Sequence, residues 1–182
     1  MIRLAALAFA AALPTAALAQ SVDAGFPNSV TTALAEMGMQ PEMKAQDSGR
    51  PYIDINIAGG PGSIYFYGCD QAMQKCQHLM FETFWNADPQ ITDAKLAEWN
   101  SKYFVAPVFK APNGGAVLRY TMISALRIAP ESFDGKMKAI SAAVGDFHNH
   151  LFSGSNPAFQ SGMQGPETAV DAAAPAGAGR GQ

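Results

Sequence analysis

Residues 51–69 read PYIDINIAGGPGSIYFYGC, and this stretch decides the fold. From Pro51 to Ile57, Ile53, Ile55 and Ile57 alternate with Tyr52, Asp54 and Asn56. A period of two belongs to a half-buried strand, because successive side chains point to opposite faces. Gly59-Gly60-Pro61-Gly62 supplies a turn, and Ser63 to Tyr67 returns with Ile64 and Phe66 on one side and Tyr65 and Tyr67 on the other. A third strand is expected from His78 to Trp85, after a loop bounded by the only two cysteines, Cys69 and Cys76.

Working outward, Ser29 to Met37 reads as a short helix. Asn28 stands at the capping position, Val30, Ala33, Leu34 and Met37 share a face, and Gly38 suits the left-handed position past the end. Thr92 to Tyr103 is a second helix, with Thr92 as cap, Asp93 in the first turn, and Leu96, Trp99 and Tyr103 at helical spacing. Ile91 is placed to staple Leu96. Two further strands, Phe104 to Lys110 and Ala116 to Met122, are joined through Asn113-Gly114, a hairpin dipeptide. Pro107 cannot donate to a ladder, which puts its strand at an edge or a bulge. The longest helix closes the pattern, from Pro130 to Leu151, with Phe133, Met137, Ile140, Val144, Phe147 and Leu151 in one stripe.

The order α-β-β-β-α-β-β-α defines an α+β domain: an antiparallel sheet of about five strands with helices packed on one face. Tyr52, Tyr65, Tyr67, Met80 and Phe84 are the candidates for the other face and for a binding surface on it. Cross-strand aromatic pairs stabilise sheets wherever they occur, so ordinary packing competes with that reading.

The termini differ in composition from this core. Arg3, an apolar run from Leu4 to Leu13 and Ala17-Leu18-Ala19 before Gln20 have the form of a secretory signal peptide, residues 1–19, too short to span a bilayer at about 20 residues. Gln20, not cysteine, follows the cleavage site, so no lipid-accepting thiol stands there, and no twin-arginine pair precedes the apolar run. The expected location is the periplasm, with no transmembrane segment in the mature chain. Residues 20–152 form the domain. Residues 153–182, rich in Gly, Ala and Pro, lack the large apolar residues needed to offset the entropy of ordering and read as a disordered tail.

The chain has 12 Lys and Arg against 15 Asp and Glu, a net charge of −3; loss of Arg3 with the signal peptide makes it −4. Its cations are scattered singly, which argues against a nucleic-acid partner. A protein or peptide is the expected partner, and the oligomeric state is not readable.

Chemistry is sparse. In an exported chain an even cysteine count favours a disulfide, and a Cys69–Cys76 bond would staple the hairpin between two strands. Asp146-Phe147-His148-Asn149-His150 places Asp146 and His150 four apart on a helix, as a metal pair would need. Histidines in a last turn also interact favourably with the helix C-terminus, and that plainer role is preferred. Glu82, Asp54 and Glu98 read as isolated, solvent-side carboxylates. No G-x-S-x-G, H-E-x-x-H or phosphate-loop pattern occurs, so no catalytic residue, metal or cofactor is assigned. The favoured reading is a binding or chaperone-like module; the alternative is a small metal-dependent enzyme using the Asp146/His150 helix end.

Asp47 to Ile55 (DSGRPYIDI), Tyr65 to Cys69 (YFYGC), Cys76 to Phe81 (CQHLMF) and Trp99-Asn100, with the hairpin and long helix that follow, resemble the YbjN family of bacterial proteins, described as sensory transduction regulators. The resemblance covers most of residues 29–151. It implies a fold similar to that of small secretion chaperones and a binding module without catalytic residues. At Arg119-Tyr120-Thr121 the chain departs from relatives that tend to carry acids on this strand.

Overall fold

The computed structural model describes residues 21–123 and 127–152, so the expected signal peptide and tail lie outside the described residues. The elements run α1 (Pro27–Glu36), β1 (Glu42–Ala45), β2 (Pro51–Ile57), β3 (Gly60–Tyr67), β4 (His78–Trp85), α2 (Asp93–Lys102), β5 (Val108–Lys110), β6 (Ala116–Ile123) and α3 (Pro130–Leu151). Six strands form one sheet in the order β1-β2-β3-β4-β6-β5, with every neighbouring pair antiparallel. The α+β class and the element order agree with expectation, apart from an additional strand, β1.

The β2–β3 hairpin turns earlier than expected. Ile57 pairs with Gly60, so the connection is Ala58-Gly59, and both residues have positive φ, 50° and 80°. Two left-handed residues match the twist of a two-residue hairpin, and Gly59 adopts that conformation without steric cost. Residues 60–62 therefore belong to β3. Gly62 is needed for another reason: a Cβ there would lie 2.6 Å from the Phe81 ring, which crosses this position from β4.

Helix α1 begins two residues earlier than the expected Ser29. Pro27 occupies its first turn, and Phe26 stands at the cap without a side-chain bond, so Asn28 is not the cap. The backbone carbonyl of Asn28 instead accepts the Thr31 and Thr32 hydroxyls. Helix α2 is capped as expected, with Thr92 Oγ1 accepting from the Lys95 amide. Strand β5 is only three residues long: Phe104 to Pro107 form a loop in which Phe104 and Val105 are exposed.

The core lies between one sheet face and the helices. Ile53, Ile55, Ile64, Phe66, Leu79, Phe81, Leu118 and Met122 join Leu34 of α1 and the complete α3 stripe in one buried cluster. Phe147 is central, meeting Trp85 and Trp99 edge-on at centroid distances of 4.8 and 5.0 Å. A backbone bridge between Val22 and Ile128 ties the segment before α1 to the segment before α3.

Candidate functional site

The register places Tyr52, Tyr65 and Met80 side by side on the sheet face opposite α3, with Tyr67 beside His78 at one end. Phe84 shares this face through the alternation of β4. The five residues singled out from the sequence thus lie on one face. They are not equally accessible: Tyr65 and Met80 are each only 8% exposed, while Tyr52, Tyr67 and Phe84 are half-buried. Tyr52 stacks on Tyr65 at 5.6 Å, and Tyr52 and Tyr67 pack around the Tyr65–Met80 pair as a second, small apolar cluster. The Arg50 guanidinium lies over the Tyr67 ring at 4.9 Å. Burial pushes both the Tyr65 and the Tyr67 phenol up to about 12, so both stay neutral hydrogen-bonding groups at ordinary pH.

Glu82 corrects the sequence reading. It occupies this face, as the alternation requires, but it is completely buried rather than solvent-exposed. Its partner is Arg119, directly opposite on β6, with Nε 2.5 Å from Oε1. Burial raises the Glu82 carboxyl above its ordinary value, and the Arg119 charge opposes that rise only in part. The second carboxylate oxygen, Oε2, is buried without a hydrogen-bond partner. Arg119 continues outward to lie over the Phe109 ring of β5 at 5.3 Å, and Phe109 is itself exposed. The face therefore runs from Tyr52 and Tyr65, across a buried ion pair, to an exposed phenylalanine. Asp54, also on this face, is held by Ser63 Oγ at 2.6 Å and Lys44 Nζ at 2.9 Å. Glu98, by contrast, is the expected surface charge, paired with Lys102 at 2.7 Å.

Trp99 and Asn100 have a role that the sequence did not disclose. The Trp99 indole donates to the Ala106 carbonyl at 2.9 Å. Asn100 receives the Val108 amide on Oδ1 at 2.8 Å and returns Nδ2 to the Val108 carbonyl at 2.9 Å. One side chain thus satisfies the backbone groups that Val108 turns away from β6. That caps the outward groups at the start of the β5 edge, where an added strand would otherwise pair.

The α3 end carries contacts that neither sequence reading gave. His148 Nδ1 accepts from the Trp85 indole at 3.4 Å, and burial lowers the His148 pKa, so the neutral ring is favoured over a cation on the helix terminus. His150 Nε2 meets the Lys95 carbonyl at 2.9 Å, and Lys95 Nζ in turn donates to the Leu151 carbonyl. These imidazoles fasten α3 to β4 and α2, and Asp146 is exposed. Among the described residues no group of three or more His, Cys, Asp or Glu side chains is gathered to hold a metal.

Cys69 and Cys76 form a disulfide, with Cα atoms 3.8 Å apart, across the loop from β3 to β4. Among the described residues no helix is long and apolar enough to cross a membrane.

These features define a small α+β sheet domain with one helix-covered face and one face built from aromatic rings and a buried ion pair. The chain belongs to the YbjN family, described as "Putative bacterial sensory transduction regulator", whose model matches residues 27–153. The fold is similar to the crystal structure of YbjN from E. coli, "a putative transcription regulator", with a TM-score of 0.54 at 13% identity; the match covers 71% of this chain and 96% of that one. An uncharacterized protein from Methanothermobacter thermautotrophicus aligns with a TM-score of 0.48 at 10% identity, over 68% of this chain and 94% of that chain. No curated protein sequence matches.

Proposed function

We propose that this chain is an exported, non-catalytic binding module that receives a protein or peptide in the periplasm, in a regulatory or chaperone-like role. Residues 1–19 are the signal peptide in this reading, residues 20–152 the binding domain and residues 153–182 a tail. The Cys69–Cys76 disulfide supports an oxidising compartment.

The observation that carries the binding role is the sheet face that none of the described helices covers. Tyr52, Tyr67 and Phe84 are half-buried there, and exposed Phe109 extends the surface at its β5 end. Aromatic and arginine side chains offer a partner large contact area at low entropic cost, and Arg50 and Arg119 are already positioned over rings. The exposed Phe104 and Val105 lie in the loop that enters β5. The family description, of regulators rather than enzymes, accords with binding as the activity.

The test is in-cell photo-crosslinking. A photoreactive residue at Tyr52 or Phe109 of the exported chain should capture a discrete partner, and one at Lys138 on α3 should not. Equal labelling from both sides, or no adduct from the sheet face, would contradict the proposal.

A further inference from the structure

We infer that β1 is a self-association edge, on which two copies of the chain pair antiparallel about a two-fold axis through Met43. This goes beyond partner binding on the sheet face and uses different residues. The two edges of the sheet are unlike. Asn100 caps the outward backbone groups of Val108 on β5. At β1 the Gln46 amide donates to the Arg50 carbonyl at 2.9 Å, which fixes the phase of the β1–β2 ladder. By the alternation of an antiparallel ladder, Glu42 and Lys44 bond to β2, while Met43 and Ala45 turn their N–H and C=O groups outward. Among the described residues none bonds to those outward groups.

The side chains select both the occupant and the register. With Met43 opposite the second copy's Met43, each Glu42 faces the other copy's Lys44, so two opposite-charge pairs form across the axis. A shift of one residue pair in either direction sets Lys44 against Lys44 or Glu42 against Glu42. Glu42 is 70% exposed and Lys44 38% exposed. Within one chain the two pair at 3.1 Å, and Lys44 also reaches Asp54 at 2.9 Å, so pairing across the axis exchanges the Glu42–Lys44 contact for the same contact with the second copy. Lys44 is held above its ordinary pKa by Asp54 first and Glu42 second, which keeps it cationic on this edge. Exposed Met43 projects toward the opposite, helix-covered side and would meet its own copy at the axis. A lysine on an edge strand ordinarily deters pairing. Here it deters the wrong registers and matches one. The isologous contact is short, so a weak dimer of micromolar order is expected.

Sedimentation velocity of the purified mature chain over a range of concentrations tests this. Wild type should show a concentration-dependent dimer. Glu42→Lys and Lys44→Glu should each weaken self-association about tenfold, since each places like charges opposite one another twice. An equimolar mixture of the two variants should recover it as a heterodimer. A wild type that remains monomeric, variants that dimerise as wild type does, or a mixture that stays monomeric would each overturn the inference. Met43→Cys supplies a second readout with no change of charge. The two thiols would lie opposite each other with Cα atoms about 5.5 Å apart, within disulfide reach, and should cross-link under mild oxidation. Failure to cross-link would count against this register.

Discussion

On the covered face of the sheet, Ile64, Phe81 and Tyr120 lie beside one another beneath the helices. One residue along each strand, Ser63, Glu82 and Arg119 make the corresponding row on the other face, with none of the described helices above them. The covered side excludes water by a second layer of apolar side chains, and its stability follows the area and volume filled. The uncovered side buries Glu82 by arranging its own neighbours around it. There the balance is between the cost of removing a carboxylate from water and the Arg119 charge that compensates it. A domain can therefore keep one face rigid through packing while the other holds polar groups whose state depends on pH.

The largest effect should come from breaking the covered side. Phe147→Ala removes the ring that joins Trp85 and Trp99, and should cost about 4 kcal/mol in urea unfolding, with little dependence on pH. On the other side, Arg119→Met leaves Glu82 buried without its counter-charge and should cost about 3 kcal/mol near neutral pH. The sign of its pH dependence follows from the raised Glu82 carboxyl. A proton is bound more readily in the folded than in the unfolded chain, so stability falls as pH rises from the ordinary value of 4.5 through the raised folded one. The cost of Arg119→Met should therefore shrink on acidification, and an equal cost at pH 4 and pH 7 would show that Glu82 is not the cause.

Reducing the disulfide, or replacing Cys69 with Ala, should lower stability by about 2–3 kcal/mol while leaving the sheet recognisable by circular dichroism. Intact mass before and after alkylation checks the bond itself. Asn100→Ala leaves the Val108 amide and carbonyl uncapped and should cost about 1–2 kcal/mol, accompanied by faster hydrogen exchange at Val108. The smallest effect is predicted at His148. The His148 pKa is lowered, so stability present above the ordinary 6.5 is lost as pH falls through the folded value, opposite in sign to Glu82. His148→Asn should remove that acid sensitivity, and thermal melts at pH 5 and pH 7.5 read the difference.

Much of this architecture is legible along the chain because its signals are local. The alternation around Ile53 and Ile64 separates the two faces, and the stripe from Phe133 to Leu151 marks α3 at its observed bounds. Strand β1 carries no such signal: Glu42-Met43-Lys44-Ala45 is too short and too charged to show a period, and it becomes a strand by pairing with β2. The Phe104–Pro107 segment fails in the opposite sense, since its apolar residues suggest a strand, yet Phe104 and Val105 remain in solvent. Trp99-Asn100 could be recognised as a motif, but its purpose is visible only where the loop after α2 returns to it.

By itself the sequence determined the three helices, the central strands, which of their residues share a face, and which two cysteines are available to join, because periodicity, turn chemistry and short separation act within a few residues. Tertiary structure decided what those faces contain. Glu82 and Arg119 are 37 residues apart, and only the insertion of β6 between β4 and β5 brings them together. Whether a carboxylate on that side is a solvated charge or a buried partner depends on which strand lies beside it and what side chain that strand presents, and no local pattern encodes that distance.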